Sequence, residues 1–218
     1  VQTCALPILF NYSEFGLIVA GLAYKMGWMP SDMLAAIAVA DKVGISQQAI
    51  VDGLKEFGGI DRRFEVLGEI RLPSGRALLV DDYAHHPREI AATLAAAQGC
   101  WPDRRKVVVF QPHRFSRTRD LMDDFSELLS EINCLVITEV YAAGEKPIPT
   151  ADGRALCRSI RARGSADPIF LPRIDRLNET LMPLLRDKDV VLTLGAGDIG
   201  KAARELVPPI KLHEGTYG

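Results

Sequence analysis

Cysteine is scarce in this 218-residue chain, and its four examples, Cys4, Cys100, Cys134 and Cys157, form no CxxC pair. A disulfide framework or zinc site is therefore disfavoured, and a reducing cytoplasm is the simpler setting. A surplus of charge is also missing, with 26 Lys and Arg against 28 Asp and Glu. Without a basic excess, a nucleic-acid footprint is not expected. Long apolar runs are lacking too. The longest, Phe15 to Ala23, is broken by Gly16 and Gly21 and followed by Lys25, so it is too short to span a bilayer. It has no basic stretch before it and no small-residue cleavage site after it, which argues against a signal peptide. No internal repeat is evident. What remains is an ordinary composition, 48% apolar and 25% charged, long enough for one or two domains with a real core.

From about Phe64 the pattern alternates strand and helix at the spacing of βαβ units. Phe64–Leu72 and Arg76–Asp82, separated by Pro73-Ser74-Gly75, read as a hairpin-type pair. Pro87 opens a helix to about Gln98, carrying Ile90, Ala91 and Leu94. Lys106–Phe110 is a buried-strand run. Ser116 is placed to cap the next helix, with Leu121, Phe125, Leu128 and Leu129 as its apolar stripe. Asn133–Glu139 reads as a strand, Thr150 as the cap of a helix with Leu156 and Ile160, and Pro168–Leu171 as a short strand. Asp175 caps a helix with Leu177, Leu181 and Leu185; Val190–Leu194 is the last strand; Ile199, Ala203 and Leu206 line the last helix. Such alternation predicts an α/β fold, a Rossmann-like, mostly parallel sheet covered by helices. Ser31–Val43 and Ile45–Phe57 read instead as two helices without strand partners, stopped by Gly58-Gly59. They look like the end of another domain. Residues 1–30 give no coherent pattern.

The chemistry concentrates at strand ends. Asp81, Asp82, Tyr83, His85 and His86 directly follow an apolar strand and precede Pro87. Polar groups at such handovers lie at the carboxyl edge of a sheet, where open α/β folds bind ligands. Isolated carboxylates there often only cap a helix or neutralise an arginine, but five polar groups within six residues favour a site. A metal centre is disfavoured, because no His-x-His or His-Glu-x-x-His spacing occurs. A magnesium ion arriving with a nucleotide fits better, since it needs few protein ligands. The second edge, His113-Arg114-Phe115-Ser116-Arg117-Thr118-Arg119, begins at an expected helix N-terminus. Free N–H groups and arginine forks there suit a carboxylate or phosphate. The bland alternative is a solvated basic face, with Arg119 paired to Asp120 or Asp123.

Gly195-Ala-Gly-Asp-Ile-Gly200 matches G-x-G-x-x-G after a strand, but that motif needs a further strand and an acidic residue roughly twenty positions on, and no such strand follows. It reads as a tight turn that meets a phosphate or closes the site. Asp61-Arg62-Arg63-Phe64-Glu65 is either a solvated linker or an arginine pair reaching a nucleotide at a domain seam.

Taken together, Gly59–Glu65, Asp81–Pro87, Gln111–Asp120, Glu139–Glu145 and Gly195–Gly200 resemble the C-terminal domain of the Mur ligases, from about Leu34 to Leu206. The resemblance implies an ATP-dependent amide ligase of peptidoglycan synthesis. ATP phosphorylates the carboxylate of UDP-N-acetylmuramate, the amine of L-alanine attacks the acyl phosphate, and a tetrahedral intermediate collapses to the amide. The Gln-Pro-His-Arg segment is similar to the L-alanine-adding member. By motif matching, Arg63 and Asp82 contact ATP at its phosphates and ribose. Tyr83, His85, His113, Arg114 and Arg117 bind the amino acid, with His85 and Arg117 as the catalytic pair. Mg2+ arrives with the nucleotide.

The departures are as informative. No G-x-x-x-x-G-K-[ST] occurs, and the family's His-Asn-x-x-Asn positions hold Trp28, Met29 and Asp32. The expected organisation is an atypical 1–30, a 31–59 tail of a central ATP-binding domain, and a 60–218 C-terminal domain. The UDP-sugar and P-loop domains would be partners supplied elsewhere in the protein, and this chain alone would be inactive. Two other readings compete. One is a non-catalytic α/β module that binds an anion or docks on a partner. The other is a dinucleotide oxidoreductase, resting only on Gly195–Gly200.

Overall fold

The computed structural model describes residues 31–56, 61–164 and 166–207. The chain divides into two units, one comprising residues up to 60 with 92–102, the other 61–91 with 103 onward. In the first, Ser31–Lys42 (α1) and Gln47–Glu56 (α2) are helical, as the alanine-rich periodicity predicts. Gly44, at φ 82°, ends α1 in the left-handed conformation that only glycine adopts cheaply. Ser46 then caps α2, its Oγ accepting from Ala49 N at 3.3 Å. The Gly58-Gly59 stop and the irregular 1–30 segment lie outside the described residues.

The second unit is built on a six-stranded sheet in the order β1-β2-β6-β3-β4-β5. Glu65–Leu72 (β1) pairs antiparallel with Gly75–Asp82 (β2), the expected hairpin, with a register shift between Val66 and Gly68. All other neighbours are parallel: β2 with Val190–Leu194 (β6), β6 with Lys106–Phe110 (β3), β3 with Leu135–Thr138 (β4), and β4 with Ile169–Leu171 (β5). A parallel sheet must be covered on both faces, so its strands read as continuous apolar runs. Val107 to Phe110 and Val190 to Leu192 are accordingly buried throughout.

Strand alternation sorts these side chains between two apolar layers. Ala77, Leu79, Val107, Val109 and Val191 share one layer with Leu177–Leu181 (α7) and with Ile199 and Ala203 of Ile199–Arg204 (α8). Phe110 belongs to the other layer, 5.3 Å from Phe125 on Met122–Ser130 (α5), beside Gly153–Ala162 (α6). An aromatic pair at this spacing contributes about 0.5–1.5 kcal/mol beyond its buried area. Pro87–Cys100 (α3) and Phe115–Asp120 (α4) complete the elements used below. Among the described residues, no helix is long and apolar enough to cross a membrane.

The expected caps fail at three places, each for a local reason. Ser116 lies inside α4, whose N-cap position is Arg114, and the stripe from Leu121 to Leu129 is divided because Leu121 separates α4 from α5. Asp152, not Thr150, caps α6 by accepting from Ala155 N at 2.6 Å. Asp175 sits within a 3-10 turn, Ile174–Arg176, paired to Arg173, while Leu185 and Leu206 fall beyond the ends of α7 and α8. Spacing alone marked these helices; side-chain competition for a few N–H groups set their ends.

Candidate functional site

The carboxyl ends of β2, β6, β3 and β4 are neighbours along one edge of the sheet. Each delivers polar side chains there. At the end of β2 the two aspartates look inward. Asp81 is 0% exposed; its Oδ2 accepts from Arg62 Nε at 2.8 Å and its Oδ1 from Thr193 Oγ at 2.7 Å on adjacent β6. Asp82, 8% exposed, accepts from Phe64 N at 3.0 Å and Ala84 N at 2.8 Å. Both carboxylates therefore clamp the 61–64 turn onto the strand end. Arg62 completes the clamp by donating to the carbonyls of Gly195 at 2.5 Å and Gly197 at 3.2 Å. The linker alternative for Arg62 is excluded by these bonds.

Arg63 is exposed, and its guanidinium lies 5.6 Å from the Tyr83 ring centroid, with that of Arg62 at 5.2 Å. Cation–π attraction holds both cations beside this phenol. Next in sequence, His85 places Nδ1 3.0 Å from the Tyr83 carbonyl oxygen and 3.6 Å from Glu89 Oε2. Glu89 in turn accepts from the backbone N–H groups of His85 and His86, closing the start of α3. Burial opposes that charge, but these two N–H donors hold the Glu89 carboxyl below its usual range. His86 accepts from Arg88 N at 3.3 Å and takes no part in the rim.

At the end of β3, a parallel bridge between His113 and Tyr141 extends the pairing beyond β3 and β4. Tyr141 N donates to Pro112 O at 2.8 Å and Arg114 N to Tyr141 O at 2.9 Å. This registers the two rings, which stack at 5.5 Å and 13°. The His113 ring lies 5.6 Å from that of His85, so the structure brings the two imidazoles together from separate strands. Arg117 approaches from α4, with Nη1 3.3 Å from His113 Nδ1. Burial pushes the His113 imidazole below its ordinary value, and the neighbouring guanidinium groups of Arg117 and Arg114 push the same way, as does proximity to His85.

Arg114 is exposed and held at φ 72°, a strained conformation for a residue with a side chain. Its carbonyl accepts from Thr118 N at 3.1 Å and Thr118 Oγ at 2.9 Å, which fixes the first turn of α4. The expected anion seat at that N-terminus is already filled. Glu145 accepts from Ser116 N at 2.9 Å and Ser116 Oγ at 2.5 Å, and these bonds hold its carboxyl below the usual range. Arg119 pairs with Asp120 at 2.7 Å, as the solvated alternative supposed.

The Gly195–Gly200 turn follows β6 and is closed in the same way. Gln111, 4% exposed, accepts from Ile199 N at 3.1 Å and donates to Asp198 Oδ1 at 2.6 Å. A Cβ on Gly197 would meet Gln111 Oε1 at 2.3 Å, and one on Gly200 would meet Arg62 Nε at 2.2 Å. These glycines make room for Gln111 and Arg62, not for a phosphate. The dinucleotide reading loses its one support. A cleft of about 210 Å³ opens beside this turn, lined by Gln111, Glu139, Tyr141, Pro172 and Asp198.

Sequence reasoning placed Tyr83, His85, His113, Arg114 and Arg117 at the two edges that the structure brings side by side. It gave no role to Tyr141, Glu145 or Gln111. All three lie in segments already marked by strand-to-loop handover, but their partners come from other strands.

An open sheet of this topology, with structural carboxylates inside and arginines and imidazoles on the rim, is an α/β domain of the class that works at its strand ends. The family model described as "Mur ligase, glutamate ligase domain" matches residues 62–197, and the chain belongs to that family. Among solved structures it is similar to the UDP-N-acetylmuramate–alanine ligase of Thermotoga maritima. Identity is 29% and TM-score 0.63, over 80% of this chain and 35% of that one. A murein peptide ligase from Psychrobacter arcticus (22% identity, TM-score 0.55) covers the same shares, 80% and 35%. A bifunctional folylpolyglutamate synthase/dihydrofolate synthase from Yersinia pestis, solved with AMPPNP and a manganese ion, matches at 18% identity and TM-score 0.51, covering 79% and 36%. These last two share the fold. The chain spans about a third of the length of each of these three proteins.

Proposed function

We propose that this chain is the amino-acid-receiving part of an ATP-dependent ligase that joins L-alanine to UDP-N-acetylmuramate in peptidoglycan synthesis. In this reading, residues 31–59 are the tail of a central ATP-binding domain and 60–218 the C-terminal domain, working in the cytoplasm. The observation that carries it is the cluster of His85, His113 and Arg117, with Arg114 beside it, formed from the ends of β2 and β3 on either side of β6. Guanidinium forks there receive the amino acid carboxylate and the oxyanion that develops at the acyl carbon. Tyr83 walls the site next to His85. The alanine-specific reading is supported by the Gln111-Pro-His-Arg114 segment and by the 29% identity to an alanine-adding ligase.

ATP is the phosphoryl donor. Arg63, exposed beside Tyr83, is the candidate for its phosphates. Asp82 fits a ribose hydroxyl less well, because each of its oxygens already accepts a backbone N–H. Among the described residues no three His, Cys, Asp or Glu side chains cluster to hold a metal. A magnesium ion comes with the nucleotide and takes its ligands from the upstream domains.

The test is phosphate release. A full-length protein carrying this chain behind its UDP-sugar and P-loop domains should release phosphate only with ATP, UDP-N-acetylmuramate and L-alanine together. This chain alone should release none. No release by the full-length protein overturns the reading and leaves the non-catalytic binding module; alanine-dependent release by the chain alone overturns its dependence on the upstream domains.

A further inference from the structure

We infer that the two rim imidazoles have opposite duties, His85 accepting a proton from the incoming ammonium through Nε2 and His113 donating Nε2–H to the carboxylate of the same molecule. The inference rests on the ligase reading above and divides labour within that site. It follows from which partners each ring already has.

His85 Nδ1 lies 3.0 Å from the Tyr83 carbonyl oxygen, a group that can only accept. Glu89 Oε2, a second acceptor, lies 3.6 Å from the same nitrogen. Nδ1 therefore carries the hydrogen, and in the neutral ring Nε2 keeps the lone pair. A carbonyl and a carboxylate behind Nδ1 are also what an imidazole needs to accept a proton, since they stabilise the imidazolium that forms. His113 is wired the other way. Its Nδ1 faces Arg117 Nη1 at 3.3 Å, and a guanidinium can only donate. Nδ1 is thus an acceptor and Nε2 carries the hydrogen. Burial and the surrounding cations keep this second ring neutral, hence a donor and not a base.

The ring centroids are 5.6 Å apart. An α-amino acid carries its ammonium and carboxylate on one carbon, so both rings can engage one zwitterion. The charged and titratable groups around the pair are Tyr83 and Glu89 on the His85 segment, Arg62 and Arg63 beside Tyr83, and Tyr141, Arg114, Arg117 and Glu145 around His113. Of these, only Glu89 lies within ion-pair distance of the His85 ring. In the step itself, one ammonium proton passes to His85 Nε2, and the freed lone pair forms the C–N bond at the acyl carbon. The C–O bond to phosphate then breaks with its electron pair leaving on phosphate, and the second nitrogen proton passes to water.

The experiment uses the full-length ligase with two acceptors, L-alanine and hydroxylamine. Hydroxylamine is largely uncharged at neutral pH and has no carboxylate, so it needs neither imidazole. His85→Gln should lower kcat with L-alanine about a hundredfold or more, while ATP-dependent hydroxamate formation falls less than about tenfold. His113→Gln should raise KM for L-alanine about tenfold, with a smaller fractional loss when hydroxylamine is the acceptor. In the unmodified enzyme, the acid limb of the alanine pH profile should be absent with hydroxylamine once the rate is expressed per unprotonated hydroxylamine, a readout that needs no variant. Equal losses with both acceptors in His85→Gln, or the same acid limb with both, overturn the division of labour. No ATP-dependent hydroxamate from the unmodified enzyme overturns the ligase reading itself.

Discussion

Replacing Arg62 by alanine should unfold this domain far more readily than its surface position in the sequence suggests. The guanidinium, 16% exposed, is within ion-pair distance of Asp81, which is 0% exposed, and it also satisfies the carbonyls of Gly195 and Gly197. Truncation leaves Asp81 with the Thr193 hydroxyl and the longer-range attraction of Arg204. Removing one member of a buried pair costs about 3–5 kcal/mol, because the remaining charge is stranded in low dielectric. Partial exposure of Arg62 lets some water reach the gap, so the lower end, about 3 kcal/mol, is expected. For a domain of this size that is roughly a 6–12 °C fall in Tm. Denaturant unfolding followed by far-UV circular dichroism measures it directly. The double variant Arg62→Met with Asp81→Leu removes both charges and should recover most of the loss. A cost under about 1 kcal/mol for Arg62→Ala, or a double variant weaker than the single one, refutes the argument that the ion pair is the clamp.

Two further outcomes follow from packing. Gly153→Ala would bring a Cβ within 2.2 Å of the Thr138 carbonyl oxygen and 2.8 Å of the Phe170 ring, and should destabilise the domain by about 1–3 kcal/mol, read as a shift in denaturation midpoint. The Cys157 thiol is 1% exposed and pushed up by burial to about 11, so iodoacetamide should label it only on unfolding, and labelling of the native domain at the rate of the half-buried Cys134 would contradict its placement.

How far the sequence was legible varies by element. The β2, β3 and β6 runs were clear because a parallel sheet buried on both faces demands unbroken apolar stretches, as Val107 to Phe110 illustrates. The rim was legible because His85 and Arg117 follow strands directly. What spacing could not disclose is which polar groups spend themselves on one another. Asp81 and Asp82 looked like ligands and serve as clamps, since Arg62 and Phe64 N reach them from a turn some twenty residues away and Ala84 N from two residues on. Glu145 fills the N-terminus of α4 from 29 residues downstream, and Gln111 fills that of α8 from 88 residues upstream. Such long-range satisfaction leaves no local periodicity to read.

The most direct test of the rim as an amino acid seat is the alanine dependence of Arg117→Ala in the full-length ligase. Losing a charge-assisted bond to a carboxylate removes about 1.5–3 kcal/mol, so KM for L-alanine should rise roughly 10- to 150-fold. KM for ATP should stay within about twofold of the unmodified enzyme, because the proposed role of Arg117 is toward the carboxylate and the developing oxyanion and not toward the nucleotide. An unchanged alanine KM, or an equal rise for ATP, would contradict the account.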